Sequence, residues 1–249
     1  MRKALVAGNW KMNGTQAKAA ELCQGIADGM AALGEVDVLV CPPAILISSV
    51  ADALKGSDVQ MGGQDLDINE GGAFTGQTSA AMLLDAGCKY VIVGHSERRQ
   101  FYGDTDALVA EKTQVALDAG LIPIVCVGES QAEREGGVTE DIVGAQLKAV
   151  LDKVGIAAFS TAVIAYEPVW AIGTGLTASP EQAQDVHAFI RRMLADKDQS
   201  VADQCRVLYG GSMKPGNAVE LISKQDIDGG LIGGAALASE DFLGICSAA

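Results

Sequence analysis

The chain has 249 residues, 49% of them hydrophobic, which is enough for one large buried core, and its formal net charge is −14. That charge excludes non-specific binding along a nucleic-acid backbone, which needs a basic face, but leaves room for a small anion held by a local cluster of donors. No apolar run approaches the roughly 18 residues of a membrane span, and the apolar stretch behind Met1, Arg2 and Lys3 is cut short by Asn9 and Lys11, too early for a secretory leader. A cytoplasmic protein without a membrane partner is expected.

Eight short apolar runs, at residues 4–7, 36–41, 59–61, 90–93, 122–127, 162–166, 206–209 and 230–232, read as strands buried on both faces. Helical patterns lie between them, at 17–32, at 104–119, where Gly120 stops the helix, and at 141–154. Another helix starts at Ser179 as N-cap with Pro180 in its first turn, and places Ala183, Val186, Ile190 and Met193 on one apolar face. Alternating strands and helices predict a parallel sheet with right-handed crossovers. Eight such units in about 250 residues favour an α/β fold closed into a (β/α)8 barrel, one domain over residues 1–249. An open doubly wound sheet is the alternative. The six cysteines are far apart, with no Cys-x-x-Cys pair and no neighbouring histidine, so they read as reduced core thiols rather than a zinc or redox motif.

In such a barrel the chemistry sits where the strands end. Asn9 and Lys11 follow the first run, Gly94, His95, Ser96 and Glu97 the fourth, Gly128 and Glu129 the fifth, and Glu167 the sixth. Gly210, Gly211 and Ser212 follow the seventh, and Gly233 and Gly234 the eighth. Taken singly, Lys11 reads as a solvated loop lysine, His95 as a hydrogen-bonded structural histidine and Glu167 as a solvated acid. Their convergence on one rim, with Lys11 as its only cation, selects the catalytic reading. Pro168 holds Glu167 extended at the strand mouth, and beyond it Trp170, Gly173 and Gly175 form a loop able to move and to bring backbone N–H groups to an anion. His187 has no companion in this set and reads as structural.

Two phosphate motifs are near misses. Residues 71–78 have the glycine spacing of a P-loop, but Gln77 stands where the lysine belongs. Residues 173–178 match a dinucleotide glycine pattern, but six residues separate it from the strand. A nicotinamide-dependent oxidoreductase resting on Gly173 and Gly175, and a barrel kept only as a scaffold, are the rival readings; intact Lys11, His95 and Glu167 argue against the scaffold.

Together, residues 8–13 (GNWKMN), 72–76 (GAFTG), 93–99 (VGHSERR), 166–177, 209–212 (YGGS) and 231–234 (LIGG) resemble the triosephosphate isomerase family over nearly the whole chain. The resemblance implies interconversion of dihydroxyacetone phosphate and D-glyceraldehyde 3-phosphate through an enediolate, in glycolysis and gluconeogenesis, without metal or cofactor. It makes Glu167 the base and His95, Lys11 and Asn9 the groups that stabilise the oxyanion. His95 would be neutral at the start of a short helix over Ser96, Glu97 and Arg98, in a family that is itself the type example of a neutral catalytic histidine. Backbone N–H groups of Gly173, Ser212, Gly233 and Gly234 would hold the phosphate. Glu129 would partner Trp170 in the open loop, with Tyr209 and Ser212 holding it closed. The resemblance also implies a homodimer in which the loop from Gly72 to Ser79 inserts into the partner, bringing Thr75 toward the lysine strand. Three positions depart from the family: Gln77 for the usual Glu, which reduces an intersubunit ion pair with Arg98 to a neutral contact; Leu176 for Lys at the trailing hinge of the loop; and Asp104 for Glu near the interface.

Overall fold

The computed structural model describes residues 2–172 and 177–249. Among these, eight parallel strands pair in chain order: β1 (Ala4–Asn9), β2 (Val36–Cys41), β3 (Gln60–Gly63), β4 (Tyr90–Val93), β5 (Ile122–Val127), β6 (Val163–Tyr166), β7 (Val207–Tyr209) and β8 (Gly229–Ile232). Pairing of β1 with β8, in the register Leu5 to Gly229 and Gly8 to Ile232, closes the barrel and overturns the open-sheet alternative. β3 lies further along than the apolar run at 59–61 suggested, because Gly62 and Gly63, which carry no hydrophobic pattern, occupy its second half.

Each strand is buried on both faces, and the pleat divides its residues between two cores. Leu5, Ala7, Ile92, Ile124, Val163 and Ala165 fill the bore. Val6, Val91, Val93, Val125 and Ile164 pack outward against the helices. This period of two places the chemistry: after Leu5 and Ala7, Asn9 is the next residue aimed along the bore, and after Val163 and Ala165 it is Glu167.

Helices Gln16–Gly29, Asp106–Ala119, Thr139–Val154 and Pro180–Ala195 fulfil the four patterned intervals with shifted ends. The second starts two residues late because Thr105 caps it, accepting from the Leu108 amide. Asp104 is then free to turn inward, where Lys112 Nζ (2.9 Å) and Arg98 Nε (3.2 Å) donate to its carboxylate. Ser179 makes the expected cap, closed reciprocally with Gln182. The buried stripe of that helix runs Ala183, Val186, Ile190 and Leu194, with Met193 only partly buried beside it. No helix of the described residues is long and apolar enough to cross a membrane.

Candidate active site

A cavity of about 630 Å³ opens at the C-terminal mouth of the barrel, lined by Asn9, Lys11, His95, Glu97, Ser212, Gly233 and Gly234, among others. Most of the strand-end residues singled out from the sequence line it, whereas Gly94, Ser96, Gly128, Glu129 and Glu167 do not. One expectation needs correction: Lys214 also lines this cavity, so Lys11 is not the rim's only cation. Lys214 precedes Pro215, which starts a helix, and this turn carries it back over the mouth.

Glu167 is 2% exposed and is turned away from the cavity toward β4. Its Oε1 lies 3.0 Å from His95 Nε2 and accepts from the Ser96 hydroxyl at 3.1 Å, and its Oε2 accepts from the Ser96 amide at 2.9 Å. Burial pushes its pKa up, but the His95 contact and the two Ser96 hydrogen bonds outweigh burial and hold the carboxyl below its usual range. For His95, burial pulls downward and the adjacent carboxylate, with Glu97 behind it, outweighs burial upward. The mutual contact is the largest cause opposing burial in both shifts, and that part lasts only while Glu167 rests against His95. The other side of the ring is set independently. Ser96–Tyr102 is a helix, and its Glu97 amide donates into His95 Nδ1 at 3.2 Å, which selects the tautomer carrying hydrogen on Nε2. Gly94, at φ +70°, makes the break between β4 and this helix.

Lys11 is the one non-glycine with positive φ among the described residues, at +52°, a conformation that costs about 1–3 kcal/mol and persists only where its surroundings enforce it. Asn9 Oδ1 accepts from the Lys11 amide at 3.0 Å. Gln64 Nε2 donates to the Lys11 carbonyl and to the Cys41 carbonyl, both at 2.9 Å. Lys11 Nζ meets Glu97 Oε1 at 2.5 Å on the cavity wall. Gln64 was missed by the sequence reading, which assigned nothing to the end of the third strand; its position directly after β3 was the available signal.

The N–H groups of Ser212 and Gly233 have no hydrogen-bond partner among the described residues, and Gly234 begins a 3₁₀ turn whose first amide is free by construction. Three donors on one side of the cavity thus remain for an anion. Gly173, the fourth expected donor, and Leu176 lie outside the described residues. On the flank, Glu129 is fully buried and its Oε1 accepts from Trp170 Nε1 at 2.9 Å, Tyr166 Oη at 3.1 Å and Arg134 Nη1 at 3.3 Å. Arg134 also stacks 5.2 Å from the centre of the Trp170 ring. The Tyr209 hydroxyl is buried without a full hydrogen bond among the described residues; burial raises its pKa to about 12, and the Ala178 backbone beside it draws the other way. His187 is buried between the Tyr166 and Tyr209 rings, with Nδ1 3.2 Å from the Asp226 carbonyl, and lines none of the cavity, as a structural residue should.

A carboxylate, an imidazole donor, an ammonium and a row of free amides around one cavity suit proton transfer at carbon in a small anionic substrate, with the developing oxyanion held by fixed donors. The comparisons agree with that chemistry. The family profile described as "Triosephosphate isomerase" matches residues 4–249. The chain is 58% identical over 249 residues to the triosephosphate isomerase of Thiobacillus denitrificans, covering 100% of this chain and 99% of the relative. It is 55% identical to that of Dechloromonas aromatica over 249 residues, the full length of both, and 53% identical over 249 residues to that of Xanthomonas campestris, covering 100% and 99%. A profile match across the barrel and identities above one half over full length mean that the chain belongs to the triosephosphate isomerase family.

Proposed function

We propose that this chain, as one domain over residues 1–249, interconverts dihydroxyacetone phosphate and D-glyceraldehyde 3-phosphate in glycolysis and gluconeogenesis, with Glu167 as the base. The observation that carries this reading is the buried Glu167 carboxylate 3.0 Å from His95 Nε2 at the edge of a cavity that also presents Lys11. Rotation of Glu167 out of its Ser96 cradle into the cavity brings a carboxylate, stripped of water, to the carbon next to the substrate carbonyl. Its proton moves to Glu167, the electron pair shifts onto the carbonyl oxygen, and the enediolate forms. The same rotation frees His95 Nε2–H to donate to that oxygen, with Asn9 and Lys11 adding donors and charge. The hydroxyl proton of the neighbouring oxygen passes to the former carbonyl oxygen, and protonated Glu167 returns its proton to the carbon that bore the carbonyl, so the new carbonyl forms next to it. The substrate phosphate sits on the amides of Ser212, Gly233, Gly234 and Gly173, with Trp170, Glu129, Glu97 and Tyr209 supporting the loop and the cation.

The test is Glu167→Gln. Its kcat should fall by about 10²- to 10⁴-fold, the span of a lost general base, with affinity for phosphorylated ligands retained. Near-normal turnover would remove Glu167 from the role. The dinucleotide reading rests on Gly173 and Gly175, outside the described residues, and no other observation favours it.

The protein acts as a homodimer in the cytoplasm. Support comes from apolar side chains left exposed on the loops and helices after the first four strands: Met12 (94%), Ile45 (85%), Phe74 (44%), Met82 (57%), Phe101 (67%) and Tyr102 (69%). Exposed apolar side chains in this number on the elements after the first four strands support a partner on that side of the barrel. Arg98 already meets Asp65 at 2.9 Å and Asp104 at 3.2 Å within its own chain, so the neutral Gln77 on the 72–79 loop leaves no unpaired guanidinium charge at that edge.

A further inference from the structure

We infer that Gln64 is a positioning residue for the isomerisation: by tying two carbonyls from neighbouring strand ends, it locks Lys11 in its left-handed conformation and so aims the ammonium into the cavity. The inference rests on the role proposed above for Lys11.

Lys11 lies beyond the end of β1, where no ladder hydrogen bond controls it, and a side chain with a Cβ does not stay at φ +52° unaided. Two side chains take the place of the ladder. Asn9 accepts the Lys11 amide and Gln64 Nε2 donates to the Lys11 carbonyl, so both peptide groups of Lys11 are held. Asn9 alone cannot set the conformation, because a contact between residues two apart survives rotation of the next peptide. Gln64 can, since it starts from a different strand and its second hydrogen bond, to the Cys41 carbonyl, anchors the same nitrogen to the end of β2. One amide group therefore staples the ends of β1, β2 and β3 together. Both hydrogens of Nε2 are used, so a carboxylate, a thioether or a methyl group at this position cannot reproduce the staple. Released, Lys11 falls back to negative φ, and the whole side chain swings relative to Glu97 and to the amides of Gly233 and Gly234.

Gln64→Met, which keeps the volume and removes both donors, tests this directly. The crystal structure of the variant should show Lys11 at negative φ, and steady-state kinetics should show KM for the triose phosphate raised about ten- to a hundredfold, the size of effect a misplacement near 1 Å produces, with a smaller change in kcat. The inhibition constant of inorganic phosphate should rise in parallel. Gln64→Glu covers the case in which the methionine variant does not fold. Its ionised carboxylate repels both carbonyls while its protonated form donates to one, so KM should recover as pH falls, a profile the parent lacks. Lys11 remaining at positive φ in Gln64→Met, or relaxing with KM unchanged, overturns the assignment. So does a Gln64→Glu variant whose KM follows the parent at every pH. Failure of the Lys11 role itself reads differently: Lys11→Met would then bind phosphate normally while the φ of Lys11 in Gln64→Met still reported on the staple.

Discussion

Substituting Gly210 by alanine probes how closely the barrel holds Glu167. The backbone of Gly210 accepts an L residue, since its φ lies outside the left-handed region. The obstacle is space: the new Cβ would lie 2.9 Å from Glu167 Cγ and 3.0 Å from the Tyr166 carbonyl oxygen. Carbon atoms pack at about 3.5–4.0 Å, so more than half an ångström has to be found. The β7 side cannot easily supply it, because the Gly210 amide is bonded to the Tyr166 carbonyl at 2.7 Å. Glu167 must give instead, against the hydrogen bonds from His95 and Ser96 that cradle its carboxylate. Overpacking of this kind costs about 1–3 kcal/mol of stability, which for a chain of this size lowers Tm by several degrees, at about 2–4 °C per kcal/mol. A base displaced by most of an ångström loses about 10- to 100-fold in rate. The assay is a coupled measurement of kcat and KM alongside a thermal melt, with Gly216→Ala as the control, since a Cβ there meets nothing within 4 Å. The loss should appear in kcat, with phosphate inhibition unchanged. Parent-like kcat in a folded Gly210→Ala protein would refute the claim that this wall positions the catalytic base.

Lys11→Met should weaken phosphorylated ligands at least about tenfold by titration calorimetry, the scale of a lost charged hydrogen bond, with residual binding that falls further with salt because Lys214 remains on the cavity wall; unchanged affinity would mean that Lys11 does not contact the ligand. Thr75→Arg, on the exposed tip of the 72–79 loop, should sediment as a monomer with little activity, and a dimeric, active variant would place the interface elsewhere. His187 should make stability depend on pH. Burial lowers its folded pKa to about 4 from 6.5, with Arg191 lowering it further and Asp226 opposing. Unfolding therefore takes up a proton between those values, so the contribution is present above pH 6.5 and is lost as pH falls toward 4, by about 3 kcal/mol in full. Denaturant unfolding of His187→Gln across that range should show a shallower slope than the parent, and equal slopes would count against the assignment.

The sequence by itself determined the repeating unit and most of the chemistry. Runs of three to six mainly apolar residues marked eight strands, and the residues just past those ends included Asn9, Lys11, His95, Ser212, Gly233 and Gly234, which line one cavity at the barrel mouth, and Glu167, which rests against His95 at its edge. That was legible because a strand end is a local event, where burial stops and composition changes. The tertiary structure decided what depends on two segments at once. A strand buried on both faces shows no alternation, so only barrel closure reveals that Val163 and Ala165 face the bore and thereby aim Glu167 along it. The resting place of Glu167 against Ser96, the capture of His95 Nδ1 by the Glu97 amide, the return of Lys214 to the cavity and the stapling of Lys11 by Gln64 across 53 residues each need partners brought together by folding. Hydrogen bonds and close contacts act over about 3 Å, and no pattern along the chain reports which distant residues will meet at that range.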